Sequence, residues 1–145
     1  MGFRFKDHSL LLEAITHRSV KAERGNSFRT NVRLEVLGDS ILGYVVTDMI
    51  YRKYPYANKG EITDLRKRYV SNQALNALPL AKGVNGDFLY ELIIKGGSIE
   101  KNDNKAATMV ADAIESIIAA IYLDRGMKEA KKFILSNIVA EIDRY

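Results

Sequence analysis

The chain has 145 residues, of which 47% are hydrophobic and 28% charged, a composition typical of one globular domain and not of a disordered segment. It contains no cysteine, which excludes disulfides and thiolate metal sites and suits a reducing cytoplasm. We see no signal peptide and no apolar run of the ~18 residues that a membrane span needs, so we expect a cytoplasmic protein that does not enter a membrane. The net charge of +4 is compatible with a polyanionic partner without identifying one.

Apolar residues recur with helical periodicity along most of the chain, and this predicts an all-α fold in a single domain over residues 1–145. Asp7 is the expected N-cap of a first helix through residues 10–16, and the polar residues 20–29 predict a loop. The further predicted helices cover residues 32–54, ended by Pro55; 61–72; 73–81, kinked or ended by Pro79; 88–93, within a loop-rich segment 82–104; 105–124, ended by Gly126; and 128–145.

The central predicted helix, NVRLEVLGDSILGYVVTDMI over residues 31–50, is apolar nearly all the way round, which is typical of a helix in the middle of a domain. It nevertheless carries Glu35 and Asp39 one turn apart in an apolar stripe, where carboxylates are costly unless something neutralises them. Gly38 and Gly43 each weaken the helix by roughly 1 kcal/mol, which indicates that another group approaches its backbone closely. This stretch is therefore predicted to form the floor of a functional site.

A second acidic pair lies on the predicted helix 105–124. Asp112 and Glu115 are three residues apart, beside small residues that allow another helix to come close. If the two pairs meet, four clustered carboxylates favour a hard cation, Mg²⁺ or Mn²⁺, over Zn²⁺. Two simpler alternatives stay open: ordinary exposed helix acids, or salt bridges to Arg33 or Arg66.

Histidine chemistry is disfavoured. A di-iron carboxylate bundle needs Glu-x-x-His pairs, and neither His8 nor His17 lies three residues after a glutamate. The same scarcity argues against a histidine general base, and we expect His17 to be a packing or capping residue.

At these acids the sequence resembles the ribonuclease III family. NVRLEVLGDSIL is similar to that family's signature, usually Asn-Glu-Arg-Leu-Glu-Phe-Leu-Gly-Asp followed by a small residue and an aliphatic pair. TMVADAIESIIAAIYLDRG resembles its Leu-Ala-Asp-x-x-Glu-Ala helix and the Tyr-Leu-Asp-x-Gly that ends it. GFRFKDHSLLLEAITHRS and RYVSNQAL are supporting matches, so the resemblance covers nearly the whole chain.

The resemblance implies an all-α, ribonuclease III endonuclease-domain-like fold that works as a homodimer and hydrolyses double-stranded RNA to 5′-phosphate and 3′-hydroxyl ends. The family's metal-binding acids fall on Glu35, Asp39, Asp112 and Glu115, with Asp39 and Glu115 as the catalytic pair and Mg²⁺ or Mn²⁺ as the cofactor. The competing hypothesis is a non-catalytic RNA-binding or ribosome-associated module that kept the fold.

Three residues depart from the family's pattern. Val32 replaces the signature's first glutamate, Lys59 stands where a glutamate commonly precedes Gly60, and Val36 replaces the aromatic residue that meets the partner subunit. Val32 and Val36 are thus the expected dimer contacts, although without the large ring. The chain also ends at Tyr145, where many relatives continue into a double-stranded-RNA-binding domain, and we expect no such domain within these residues.

Contacts to RNA phosphates are not identified by the motifs and are predicted from charge alone. The candidates lie at the end of the central helix and on the next one: Arg52, Lys53, Arg66, Lys67 and Arg68.

Overall fold

The computed structural model describes residues 3–83, 87–97 and 104–144, and within these ranges the fold is all-α, as predicted. Their one isolated β-bridge pairs Thr16 with Ile94. The helices are α1 (His8–Ala14), α2 (Val20–Arg24), α3 (Val32–Lys53), α4 (Lys59–Val70), α5 (Asn72–Asn76), α6 (Pro79–Lys82), α7 (Phe88–Leu92), α8 (Asn104–Arg125), α9 (Met127–Ile134) and α10 (Ala140–Asp143), with a π-helical turn, Leu135–Val139, between the last two.

Helices α3 and α8 pack against each other in the centre of the fold, and Gly38 permits their close approach. A Cβ atom at position 38 would overlap the backbone carbonyl of Glu115. At Gly43, by contrast, a Cβ atom would meet only the mobile end of the Arg66 side chain, 2.6 Å away. The prediction that something approaches the backbone of this helix is confirmed at both glycines, but only Gly38 faces another main chain.

Helix α8, and not α3, is the more fully enclosed of the two. From Met109 to Ile121 every residue of α8 is buried except Asp112. Helix α3 lies in the middle of the domain, as expected, but it keeps one exposed stripe of large side chains. We call this surface the α3 stripe, and its members are Val32, Val36, Tyr44 and Tyr51.

Local sequence signals explain several helix boundaries. The predicted cap at Asp7 is confirmed, because its carboxylate accepts a hydrogen bond from the Ser9 amide at 2.9 Å and α1 begins between them. Asn58 and Glu61 form a capping box, which starts α4 two residues earlier than predicted. Gly126 follows α8 with a φ of +90°, as expected for the residue after a helix.

Three predicted elements need correction. Residues 20–29 are not all loop, because α2 is held in place by the buried Val20 and by Glu23, whose carboxylate accepts from the Gly97 amide at 2.7 Å. The predicted helix 73–81 is two short helices, and Pro79 begins the second one, where its missing N–H costs nothing.

The predicted final helix 128–145 is interrupted by the π-helical turn. There the Asn137 side-chain amide donates to the Phe133 carbonyl at 3.1 Å, an acceptor that an α-helix would offer to the backbone of residue 137. Side-chain competition of this kind leaves no clear signal in an apolar pattern.

By length and hydropathy alone, residues 105–125 of α8 form a helix that could cross a membrane. Of the most apolar window, however, 67% is buried inside the fold. The apolarity of α8 is accounted for by its place in the protein core.

Gly38→Ala should destabilise the fold by about 2 kcal/mol or more, because the new methyl group meets a main-chain carbonyl that cannot move without separating α3 from α8. Gly43→Ala, on the same helix, is the matched control and should be neutral or stabilising by up to about 1 kcal/mol. Urea unfolding of both variants measures the difference. Equal effects of the two substitutions would contradict the packing described at Gly38.

Candidate metal centre

The packing of α3 on α8 brings both acidic pairs to one place. Carboxylate oxygens of Glu35, Asp112 and Glu115 lie within 4.8 Å of one another. Asp39, one turn after Glu35, is close enough to Glu115 for a side-chain hydrogen bond. The acids predicted from their spacing therefore meet in space, and we refer to the four residues as the acidic cluster.

The surroundings of the cluster disfavour negative charge. Glu115 is only 8% exposed, and its burial, together with the charges of Asp39, Asp112 and Glu35, raises its pKa to about 8. The pKa of Asp112 is raised to about 6, mainly by burial and then by the charge of Glu35. At neutral pH the raised pKa keeps Glu115 mostly protonated, and a cation bound in the cluster would favour its charged form.

The cluster is closed on one side and open on the other. Glu115 lies at the buried end, Glu35 and Asp112 are half-buried, and Asp39 is exposed. Such a gradient allows a ligand to enter from solvent while the deepest carboxylate remains in a dry environment, where its charge acts most strongly.

The residues present suit a hard divalent cation. Four carboxylates supply oxygen ligands only, and a protein without cysteine has no thiolate to attract zinc. The separations of up to 4.8 Å allow three of the carboxylates to reach one ion after small side-chain rotations. A bound cation would also offset the burial and the mutual repulsion that raise the pKa values of Asp112 and Glu115.

The alternative of a salt-bridged acid pair does not describe the structure. Among the described residues no salt bridge joins Arg33 or Arg66 to Glu35 or Asp39. The cation whose charge does reach the cluster is Arg18, which partly offsets the raised pKa of Asp112. Sequence reasoning missed this residue, although it lies in the stretch THRS that carries part of the family resemblance.

Asn31 is the second residue that sequence reasoning missed. It is 2% exposed, and its carbonyl accepts from the Ser116 hydroxyl at 3.2 Å and from the Glu35 amide at 2.8 Å. The backbone N–H of Asn31 donates to the Thr16 carbonyl at 2.8 Å. A buried asparagine at the start of an apolar helix is the signal that could have identified this junction.

His17 has a structural role, as expected. Its Nδ1 atom accepts from the Ser19 amide at 3.1 Å and lies 2.9 Å from the Ser19 hydroxyl. Burial and the neighbouring charge of Arg18 lower the pKa of His17, which keeps the ring neutral. The ring thus stabilises the turn between α1 and α2.

The five cations predicted to bind RNA lie near one another but differ in their partners. Arg52 pairs with Asp48 at 3.0 Å, and Lys53 and Arg68 share Asp143 at 3.9 and 3.8 Å. Arg66 lies against Gly43, and Lys67 is exposed. Exposed pairs of this kind are weak, so they leave these cations available to a polyanion.

The three departures from the family pattern lie outside the acidic cluster. Val32 and Val36 are 40% and 66% exposed on the α3 stripe, and Lys59 is exposed at the first turn of α4. A groove of about 450 Å³ continues that stripe and is lined by Ser40, Gly43, Tyr44, Thr47, Asp48, Tyr51 and Arg66.

Comparisons with known proteins agree with this geometry. A family model described as Ribonuclease-III-like matches residues 7–142. Ribonuclease 3 of Pseudomonas fluorescens (strain SBW25) is 35% identical over 143 residues, which are 99% of this chain and 58% of that protein. The chain therefore spans somewhat more than half the length of this curated relative.

Solved structures of ribonuclease III nuclease domains also resemble this chain. A nuclease domain of ribonuclease III from Campylobacter jejuni, which was described for flexibility in its dimer-forming region, superposes with a TM-score of 0.75. It is 31% identical, and the match covers 93% of this chain and 91% of that one. Dicer from Pichia stipitis matches with a TM-score of 0.65 and 25% identity, over 99% of this chain and 59% of that one.

Glu115→Gln should raise the melting temperature of the metal-free protein, and more so at high pH. Between its ordinary pKa of 4.5 and the folded value of about 8, Glu115 holds a proton in the folded protein that the unfolded chain has released. Wild-type stability in EDTA should therefore fall as pH rises through this window, and glutamine removes that loss.

Thermal unfolding in EDTA at about pH 9 and about pH 5 measures this effect, and the stabilisation should shrink at the lower pH. Glu129→Gln on α9, outside the cluster, is the control. A melting temperature that drops in Glu115→Gln at high pH would contradict a repulsive cluster.

Proposed function

Because this chain belongs to the ribonuclease III family, we propose that it is a metal-dependent endonuclease that hydrolyses phosphodiester bonds of double-stranded RNA. The products would carry 5′-phosphate and 3′-hydroxyl ends. The observation that carries the proposal is the acidic cluster, in which four carboxylates from two helices converge around the buried Glu115. A non-catalytic RNA-binding module would gain nothing from a buried glutamate beside three further carboxylates, an arrangement that opposes folding.

The proposed ligands of the metal are Glu35, Asp39, Asp112 and Glu115, and the proposed ion is Mg²⁺, with Mn²⁺ as a substitute. When bound, such an ion supplies an activated water and neutralises charge on the phosphodiester. Asp39 and Glu115 are the proposed catalytic pair. Glu115 would hold the ion as a carboxylate at the buried end of the site, and Asp39 would hold it at the exposed end, which is open to RNA.

We propose that RNA is held mainly through backbone phosphates by Arg52, Lys53, Arg66, Lys67 and Arg68. Arg66 and Lys67 form no salt bridge among the described residues, and the pairs made by the other three are exposed and weak. Residues 1–145 are proposed to form one nuclease domain, and the proposed location is the cytoplasm, in keeping with the lack of cysteine in these residues.

A homodimer through the α3 stripe is the proposed assembly. The stripe exposes 40% of Val32 and 66% of Val36, and it continues into Tyr44 and Tyr51, which are 62% and 71% exposed. Burial of these side chains against a second copy removes apolar area from water at roughly 25 cal/mol per Å². Two copies would provide one acidic cluster for each strand of a duplex.

Incubation of the protein with a long RNA duplex tests the activity. Cleavage should require Mg²⁺ and stop with EDTA, and Glu115→Gln should lower the rate by at least about 100-fold, because it removes one charged ligand of the metal with almost no change in volume. Circular dichroism should show an unchanged fold. Metal-independent cleavage, or near-normal turnover by this variant, would exclude the proposed site.

Val36→Asp should give monomers and lose duplex cleavage together, because a charge within the α3 stripe is costly to bury against a partner. Leu12→Asp is the control, since Leu12 is 55% exposed on α1. Sedimentation velocity and a duplex cleavage assay measure the two outcomes. A wild-type protein that sediments as a monomer at micromolar concentration, or a monomeric variant that cuts both strands normally, would refute the dimer.

A further inference from the structure

Arg18 occupies a turn whose backbone is fixed on both sides. The amide of His17 donates to the Ile94 carbonyl at 2.8 Å, and the Ser19 hydroxyl accepts from the Gly96 amide at 2.8 Å. Gly96 is needed there, because a Cβ atom would come within 2.8 Å of the Ser19 carbonyl. The main chain of Arg18 is thus held in place while its side chain remains exposed.

The same turn is attached to the acidic cluster through Asn31. This buried residue bonds to Thr16, two positions before Arg18, and also to Ser116, which directly follows Glu115. Its carbonyl also accepts from the amide of Glu35. The backbone of Asn31 and the Ser116 hydroxyl therefore link the turn, the start of α3 and the middle of α8, so the turn that carries Arg18 lies beside the two helices of the cluster.

Arg18 is near the acids but is not paired with them. Among the described residues it forms no salt bridge, although its charge acts on Asp112. A free guanidinium keeps five N–H donors in a planar fork, which matches two oxygens of a phosphate group. A fixed turn at the edge of an acidic metal site presents that fork where the phosphates of a bound strand would pass.

From this placement we infer that Arg18 binds a phosphate of the RNA strand at the acidic cluster, at or next to the bond that is cut. The inference rests on the proposed function, and it adds a substrate contact that is separate from the five cations on α3 and α4. The acids hold the cation of the site, and Arg18 provides the direct contact between this chain and the phosphate.

The test compares Arg18→Ala and Arg18→Lys with the matched control Arg24→Ala. Arg24 is an exposed arginine on the neighbouring α2, so its removal changes the net charge equally. Binding of a short fluorescein-labelled RNA duplex is titrated at several salt concentrations, with Ca²⁺ in place of Mg²⁺. Single-turnover cleavage in Mg²⁺ and melting temperature are measured on the same proteins.

Loss of one phosphate contact should make the slope of log affinity against log salt shallower by about one in Arg18→Ala, and it should leave the slope of Arg24→Ala as in the wild type. Cleavage by Arg18→Ala should fall about 10- to 100-fold, the range for a lost charge-assisted hydrogen bond. Arg18→Lys should keep the salt slope and recover part of the rate.

Two results would overturn the inference. Equal slopes in the two alanine variants would mean that Arg18 contributes only general charge. A lower melting temperature and tighter metal binding in Arg18→Ala, with an unchanged salt slope, would mean that it only offsets the acids. Because the salt slope is measured without cleavage, a wild type that binds but does not cut would count against the proposed enzyme and leave the result on Arg18 standing.

Discussion

The contact between the backbones of α3 and α8 at Gly38 and Glu115 is the constraint on which the rest of the structure depends. It requires a residue without a side chain at position 38, and in return it lets the two helices approach closely enough for their acids to share one space. Glu35 and Asp39 lie on either side of Gly38 along α3, and Glu115 is itself the residue that Gly38 touches. The glycine therefore sets both the packing of the core and the geometry of the site.

This arrangement has an energetic consequence. Helix α8 is enclosed in the core, yet it carries Glu115 at 8% exposure, where a negative charge is strongly disfavoured. Such a cluster is stable either partly protonated or with a cation bound. The clustered carboxylates lower the stability of the metal-free fold, and a bound cation would restore it. Such coupling between stability and ligand binding is typical of functional sites and not of structural acids.

Sequence patterns predicted the parts of the molecule that depend on local chemistry. The all-α class, the two long helices, the cap at Asp7 and the end of α8 at Gly126 follow from periodicity and capping. The meeting of the two acidic pairs does not follow from the sequence, since spacing places residues on a helix face but does not determine which faces meet. Gly38 and the small residues beside Asp112 and Glu115 are the local signals for that contact.

What could not be predicted depends on long-range contacts. Helix α2 exists because Val20 is buried and Glu23 bonds to Gly97, and nothing in residues 20–29 shows this. The junction at Asn31 and the position of Arg18 result from hydrogen bonds between segments far apart in sequence. The exposed α3 stripe is the opposite case, because its apolar pattern suggests burial and the single chain leaves it uncovered.

The central claim is that α3 and α8 supply ligands to the same metal ion, and a double-mutant cycle on Mn²⁺ affinity tests it most directly. Glu35→Gln and Asp112→Asn remove one carboxylate from each helix, and electron paramagnetic resonance measures free Mn²⁺ during titration of each variant and of the double variant. Shared coordination predicts that each change weakens binding and that the two effects are strongly non-additive. Independent, additive effects, or binding that neither change alters, would contradict the account.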